Sequence, residues 1–120
     1  MPALKRIFHP RHLIKTVAAS GTPEVLDAST TLRMYGIQFI AQKAFGTDNT
    51  GNVTIQVNNG TVAVPSYADA MVLEPGQKET WPGSAFLEGF YTPLDFKIKV
   101  ATNGDGVRVL YNTFASEEEA

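Results

Sequence analysis

The sequence predicts an all-β fold, a single β-sandwich or small jelly roll with an extended N-terminal arm, and three observations carry that prediction. Short apolar-alternating runs recur roughly every 8–12 residues, separated by Gly, Asn and Pro turns. The Gly, Thr, Asn and Val content favours strands and turns over helices. In Leu94–Phe114, Leu94, Phe96, Ile98 and Val100 alternate with Asp95, Lys97 and Lys99, and after Asn103-Gly104-Asp105-Gly106 the alternation resumes with Val107, Val109 and Tyr111. That stretch predicts two strands joined as a hairpin, since Asn and Gly tolerate the positive φ of a tight reversal. Its apolar face needs cover from the rest of the chain, because two strands alone bury too little surface.

From the N-terminus, Met1–Arg11 carries Pro2 and Pro10 without a sustained period, which predicts an extended arm outside the sheet. His12–Ala19 reads as a short strand, Gly21-Thr22-Pro23 as a turn, and Val25-Leu26 as extended. In Thr30–Phe45 helix and strand compete. The β-branched Thr30, Thr31 and Ile37 and the internal Gly36 favour strand, the glycine alone costing a helix about 1 kcal/mol. Ile37, Phe39 and Ala41 share one parity while Leu32 and Met34 share the other, so a bulge or bend near Gly36 is required to bring both sets into one core. Gly46–Asn52 is a turn, Val53–Val57 a strand, and Asn58-Asn59-Gly60 a reversal returning through Thr61–Val64. Pro65–Ala70 then reads as loop, Met71–Leu73 as a short strand, and Glu74-Pro75-Gly76-Gln77 as a turn with Pro presetting φ. Trp81, Phe86, Phe90 and Tyr91 cluster between turns, either as a capped end of the core or as an exposed contact patch.

The chain of 120 residues suits one domain, divided as a basic and apolar arm (1–15), the sandwich (16–115) and an acidic flexible tail (116–120). The net charge of −2 hides an asymmetry: Lys5, Arg6, Arg11 and Lys15 occur in a first segment without acid, whereas the last residues include Glu117, Glu118 and Glu119. Leu4, Ile7 and Phe8 add apolar groups to the arm, a mixture suited to lying on an acidic protein surface, with Leu4, Lys5, Arg6, Ile7, Phe8 and Arg11 as its contact residues. Without cysteine there is neither a disulfide framework nor a thiolate metal site. No apolar run has the length of a secretory signal core or a membrane helix, so a soluble protein made in the cytoplasm is expected and no membrane partner.

Chemistry finds little support. His9 and His12 in HPRH lack two further ligands, no serine stands in a nucleophile-elbow pattern, and there is no glycine-rich phosphate loop. Asp48, Asn49 and Asn52, or Asn103 and Asp105, offer closely spaced oxygens, but turn formation accounts for both runs without calcium. No enzyme, metal or cofactor is therefore expected, and the arm lacks the aromatic interleaving of a nucleic-acid binder.

Asn49-Thr50-Gly51 with Val53 and Ile55, Leu73 with Pro75-Gly76, Leu94-Asp95, and Ala101-Thr102-Asn103-Gly104-Asp105-Gly106-Val107 with Val109-Leu110-Tyr111 occur in an order that resembles the small β-sandwich virion proteins of tailed bacteriophages. The resemblance covers Asn49 to Tyr111, about half the chain, through turn motifs that specify fold more than role; the first 45 residues match none of them. It implies a capsid decoration (cement) protein of the virion, synthesised in the host cytoplasm, which binds the major capsid protein or other virion proteins as a homo-oligomer, a trimer by preference. The alternative is a carbohydrate- or receptor-binding sandwich of a head fibre or tail, with Trp81, Phe90 and Tyr91 as a stacking platform.

Overall fold

The computed structural model describes residues 4–29, 31–61, 63–85 and 89–119, and for 4–8 and 115–119 the backbone alone. Ten strands follow in order: β1 (Leu4–Thr16), β2 (Glu24–Val25), β3 (Tyr35–Ile40), β4 (Gln42–Ala44), β5 (Thr47–Asp48), β6 (Val53–Asn58), β7 (Tyr67–Leu73), β8 (Lys78–Thr80), β9 (Phe96–Val100) and β10 (Gly106–Glu119), with a single 3-10 turn at Pro93–Asp95. They form an all-β sandwich. One sheet runs β1-β10-β3-β8, the other β2-β9-β6-β7, every neighbour antiparallel, and β4-β5 make a small separate hairpin.

The expected parities hold. Phe96, Ile98 and Val100 of β9 and Val107, Val109 and Tyr111 of β10 are buried, while Lys97, Lys99 and Arg108 lie between them at partial exposure. The pairing differs from expectation, because β9 and β10 belong to opposite sheets and face each other across the core instead of forming a hairpin. Residues 101–105 are a crossover. Gly104 N–H donates to the Val17 carbonyl and Val17 N–H to the Asp105 carbonyl, so the turn pairs with the end of β1 and directs β10 into the other sheet. Gly106 then lies so close to β1 that a Cβ there would collide with the Lys15 carbonyl.

The bend at Gly36 is present. With φ of +57° it sits in β3 where the register against β10 slips, Leu110 facing Gln38 and Asn112 facing Tyr35. Met34 before it and Ile37, Phe39 and Ala41 after it all reach zero exposure in the same core. Phe39 meets Phe96 edge-on at 5.2 Å, and Trp81 meets Phe96 at 5.0 Å and Phe39 at 6.0 Å, so a ring cluster joins the two sheets. Geometries of this kind add about 0.5–1.5 kcal/mol per pair beyond the area they bury.

Three further expectations are corrected. The reversal after Asn58 does close a hairpin, but its return strand is β7, Tyr67–Leu73; of the expected return Thr61–Val64, Val62 lies outside the described residues and Thr61 N–H donates to the Val64 carbonyl within the loop. Residues Ala68–Ala70 are all exposed, so this half of the edge strand shows no alternation and is held by its backbone ladder to β6, whereas Met71, Val72 and Leu73 alternate and Leu73 reaches the core. The N-terminal segment is extended, as its prolines suggest, yet it belongs to the sheet: β1 pairs with β10 from Leu4↔Glu119 to Thr16↔Gly106. Pro10 fits because β1 is an edge strand, where a missing N–H need cost no ladder bond. Residues 116–119, expected as a flexible tail, are the far end of β10 in that same ladder, and residue 120 lies outside the described residues.

Candidate interaction surface

The sandwich and the β1/β10 pair part company near Asn112. Up to there β10 lies between β1 and β3, and Asn112↔Tyr35 is the last pair with β3. Beyond it β1 and β10 continue together as a two-stranded ribbon, with a bulge where Ile7↔Ser116 gives way to Phe8↔Phe114. On β1, His9, Pro10, Arg11 and His12 are all exposed, so no core lies against this part of the strand. The ribbon lengthens the molecule to 55 Å along its longest axis and raises the radius of gyration to 15.4 Å, against about 14 Å for a compact chain of this length.

At the base of the ribbon a groove of about 260 Å³ opens beside β10 where β3 has ended, lined by Thr31, Leu32, Arg33, Tyr35, Thr113 and Phe114. Phe90 stands at its rim, 45% exposed, with the Arg33 guanidinium 4.8 Å from its ring centroid and Tyr35 at 5.9 Å. Stacking of this kind keeps an arginine ordered at a surface for about 0.5–1 kcal/mol.

The outer face of the β1-β10-β3-β8 sheet carries an apolar strip. The register aligns Ile14, Arg108 and Ile40 in one row and His12, Leu110 and Gln38 in the next. Ile14 is 38% exposed and Leu110 half-buried, while Phe45, at the tip of the β4-β5 hairpin, is 76% exposed and stacks on the Arg108 guanidinium at 4.6 Å. Arg108 Nη1 donates to Gln42 Oε1 at 2.8 Å, which ties that hairpin to β10. By contrast the outer face of the second sheet is wet and internally paired. Lys99 lies 3.8 Å from Asp69, Gln56 donates to Asp69, and the Lys97 ammonium sits over the Tyr67 ring at 4.4 Å.

The polar groups suggested as calcium ligands serve the fold. Asp105, 1% exposed, accepts from the backbone N–H of Thr50 and Gly51 and lies 3.8 Å from Lys43. Asn49, also buried, donates to the Gly106 carbonyl at 2.7 Å and accepts from Gly106 N–H at 3.1 Å. Together they pin the crossover to the loop before β6. No group of three or more metal-ligating side chains occurs among the described residues, His9 and His12 included. Two phenols are perturbed. Burial, and next the charge of Asp95, raise the pKa of Tyr67, whose hydroxyl donates to the Leu94 carbonyl at 2.6 Å. Burial also raises Tyr111, with Arg11 opposing and Asp27 adding to the shift.

Of the two readings of the aromatic cluster, the end of the core describes Trp81 and Tyr91. Trp81, 8% exposed, belongs to the core cluster, Tyr91 is half-buried against Trp81 and Phe96, and Phe90 alone of the three faces solvent. Phe86 lies outside the described residues, as do the side chains of Leu4, Lys5, Arg6, Ile7 and Phe8; Arg11 is exposed on β1 just before the ribbon begins. Sequence reasoning missed the Phe45–Arg108 stack and the groove at Arg33. The signal for the first was Leu110, an apolar residue at an outward parity of β10. Among the described residues no helix is long and apolar enough to cross a membrane. No protein-family model, curated protein or solved structure matches the chain.

Proposed function

We propose that this chain is a non-enzymatic structural protein of a phage particle, acting by adhesion as a capsid decoration protein on the assembled head. One observation carries the reading: a disulfide-free sandwich extends its β1/β10 pair beyond Asn112 as a two-stranded ribbon, with β1 exposed from His9 to His12 where the ribbon leaves the sheet and with edges that offer backbone donors and acceptors. Exposed edges are normally blunted in proteins that work alone, whereas proteins that bind by strand addition or by lying along a surface keep them. The basic and apolar composition of residues 1–15 suits an acidic lattice, with apolar groups supplying burial and charges supplying orientation and on-rate. The apolar strip around Ile14, Leu110 and Phe45 offers a second contact beside the ribbon. Placement of Trp81 in the core favours adhesion over sugar binding, since a stacking platform needs its largest ring in solvent.

Co-sedimentation with undecorated heads tests the reading. The full chain is expected in the pellet, and a variant lacking residues 1–10 is expected to stay folded and remain in the supernatant. A full chain that does not pellet with heads overturns the decoration role, and pelleting of the truncated chain at the wild-type level removes the ribbon from it. A steep log-linear loss of affinity for nucleic acid with salt would point instead to phosphate contacts.

A further inference from the structure

The ribbon's two strands differ in charge sign. Residues 1–16, which include all of β1, hold Lys5, Arg6, Arg11 and Lys15 and no acid; residues 109–120 hold Glu117, Glu118 and Glu119 and no base. Within the ribbon these residues are register partners, Lys5 with Glu118 and Arg6 with Glu117. Each strand also has a second side. Among the described residues β1 has no strand neighbour except β10, and residues 115–119 of β10 have none except β1. The ribbon thus has a strand of basic composition at one edge and one of acidic composition at the other, each with backbone groups that no further strand answers, Pro10 of β1 offering a carbonyl only.

We infer that these edges are the two halves of one self-interface, in which β1 of one copy adds as a strand to the 115–119 edge of β10 in the next. The alternatives fail on charge. Pairing β1 with β1 sets Lys and Arg against Lys and Arg, and pairing β10 with β10 sets Glu against Glu, both destabilising when directly opposed across strands. Head-to-tail pairing sets the basic strand of one copy beside the acidic strand of the next. It also answers a stability problem, since a two-stranded ribbon without a core is marginal in water and gains from third and fourth strands. The groove between Arg33 and Thr113 leaves room beside β10 where β3 has ended, next to where the incoming strand begins. Because the two halves are different surfaces, the contact is heterologous and builds a closed ring, or a filament if the rotation does not close. This inference needs no head, so it stands or falls separately from decoration.

The test is light scattering of the purified full chain at micromolar concentration, with charge reversals. Wild type is expected as an oligomer of three or more copies that dissociates on raising the salt. Lys5→Glu with Arg6→Glu makes both edges acidic, and Glu117→Lys with Glu118→Lys makes both basic; each variant alone is expected to lose association. Mixing the two in equal amounts restores complementary edges between chains and is expected to restore association. The chain carrying all four substitutions keeps opposite edges and opposite register partners and is expected to assemble like wild type, which controls for folding. A monomeric wild type, an assembly that stops at a two-fold dimer, or single-edge variants that assemble undiminished overturn the inference. So does a mixture that stays monomeric while the fourfold variant assembles, since the charges then act only within a chain.

Discussion

The loop after Asn58 and the loop after Asn103 are built from the same turn chemistry, Asn and Gly between apolar-alternating strands, yet they do different things. The first keeps β6 and β7 side by side in one sheet, with Asn58 Oδ1 accepting from Gly60 and Ser66 N–H so that the loop closes on itself. The second carries the chain from one sheet to the other, and its acceptor looks outward: the Asp105 carboxylate is spent on Thr50 and Gly51, in a different loop. A turn motif therefore specifies that the chain reverses. Whether the flanking strands pair or part is set by where the turn's polar groups find partners, because a buried acceptor must be answered wherever a donor stands.

Two pairs of substitutions test that contrast, the pair with the largest expected loss first. Phe96→Ala removes the ring that β9 contributes to the inter-sheet cluster and is expected to cost about 3–5 kcal/mol in chemical denaturation. Lys97→Ala, one residue on and facing out, is expected to stay within about 0.5 kcal/mol. Equal losses would mean that β9 does not bury one face against the opposite sheet. Asp105→Ala, which strips the crossover of its charged acceptor, is expected to cost about 2 kcal/mol. Asn58→Ala, in a loop reached by water, should cost about 1 kcal/mol or less. A reversal of that order would count against the crossover being pinned by Asp105.

The smallest effect is a pH dependence. Burial raises Tyr67 and Tyr111 above the ordinary phenol value, so the native state keeps protons that the unfolded chain releases. Their contribution is fully present below about pH 10 and is lost as pH rises through the native values. Denaturation midpoints measured from pH 8 upward should be level and then fall, and the fall should be shallower in the Tyr67→Phe, Tyr111→Phe double variant. An equally steep fall in that variant would assign the alkaline loss to other groups.

Much of the fold was determined by the sequence alone. The parity of Phe96, Ile98, Val100, Val107, Val109 and Tyr111 follows from the two-residue period of a strand, and the bend at Gly36 follows from two apolar sets of opposite parity needing one core. The turn at Glu74–Gln77 forms as its Pro-Gly pair requires, Gln77 N–H donating to the Glu74 carbonyl. Pairing was decided only by the tertiary structure. Ladder bonds use N–H and C=O groups that nearly every residue carries, so the side-chain pattern assigns a strand its face and leaves its neighbour open. That is why β9 and β10 read as a hairpin and face each other across the core instead. It is also why the first half of β7, exposed from Ala68 to Ala70, read as loop while Met71–Leu73 read as strand, and why Pro10 suggested an arm where an edge strand tolerates it. The charges of Lys5, Arg6 and Glu117–Glu119 were legible at either end of the sequence; that they stand opposite each other on one ribbon, with a free edge on each side, was settled by the antiparallel register of β1 with β10.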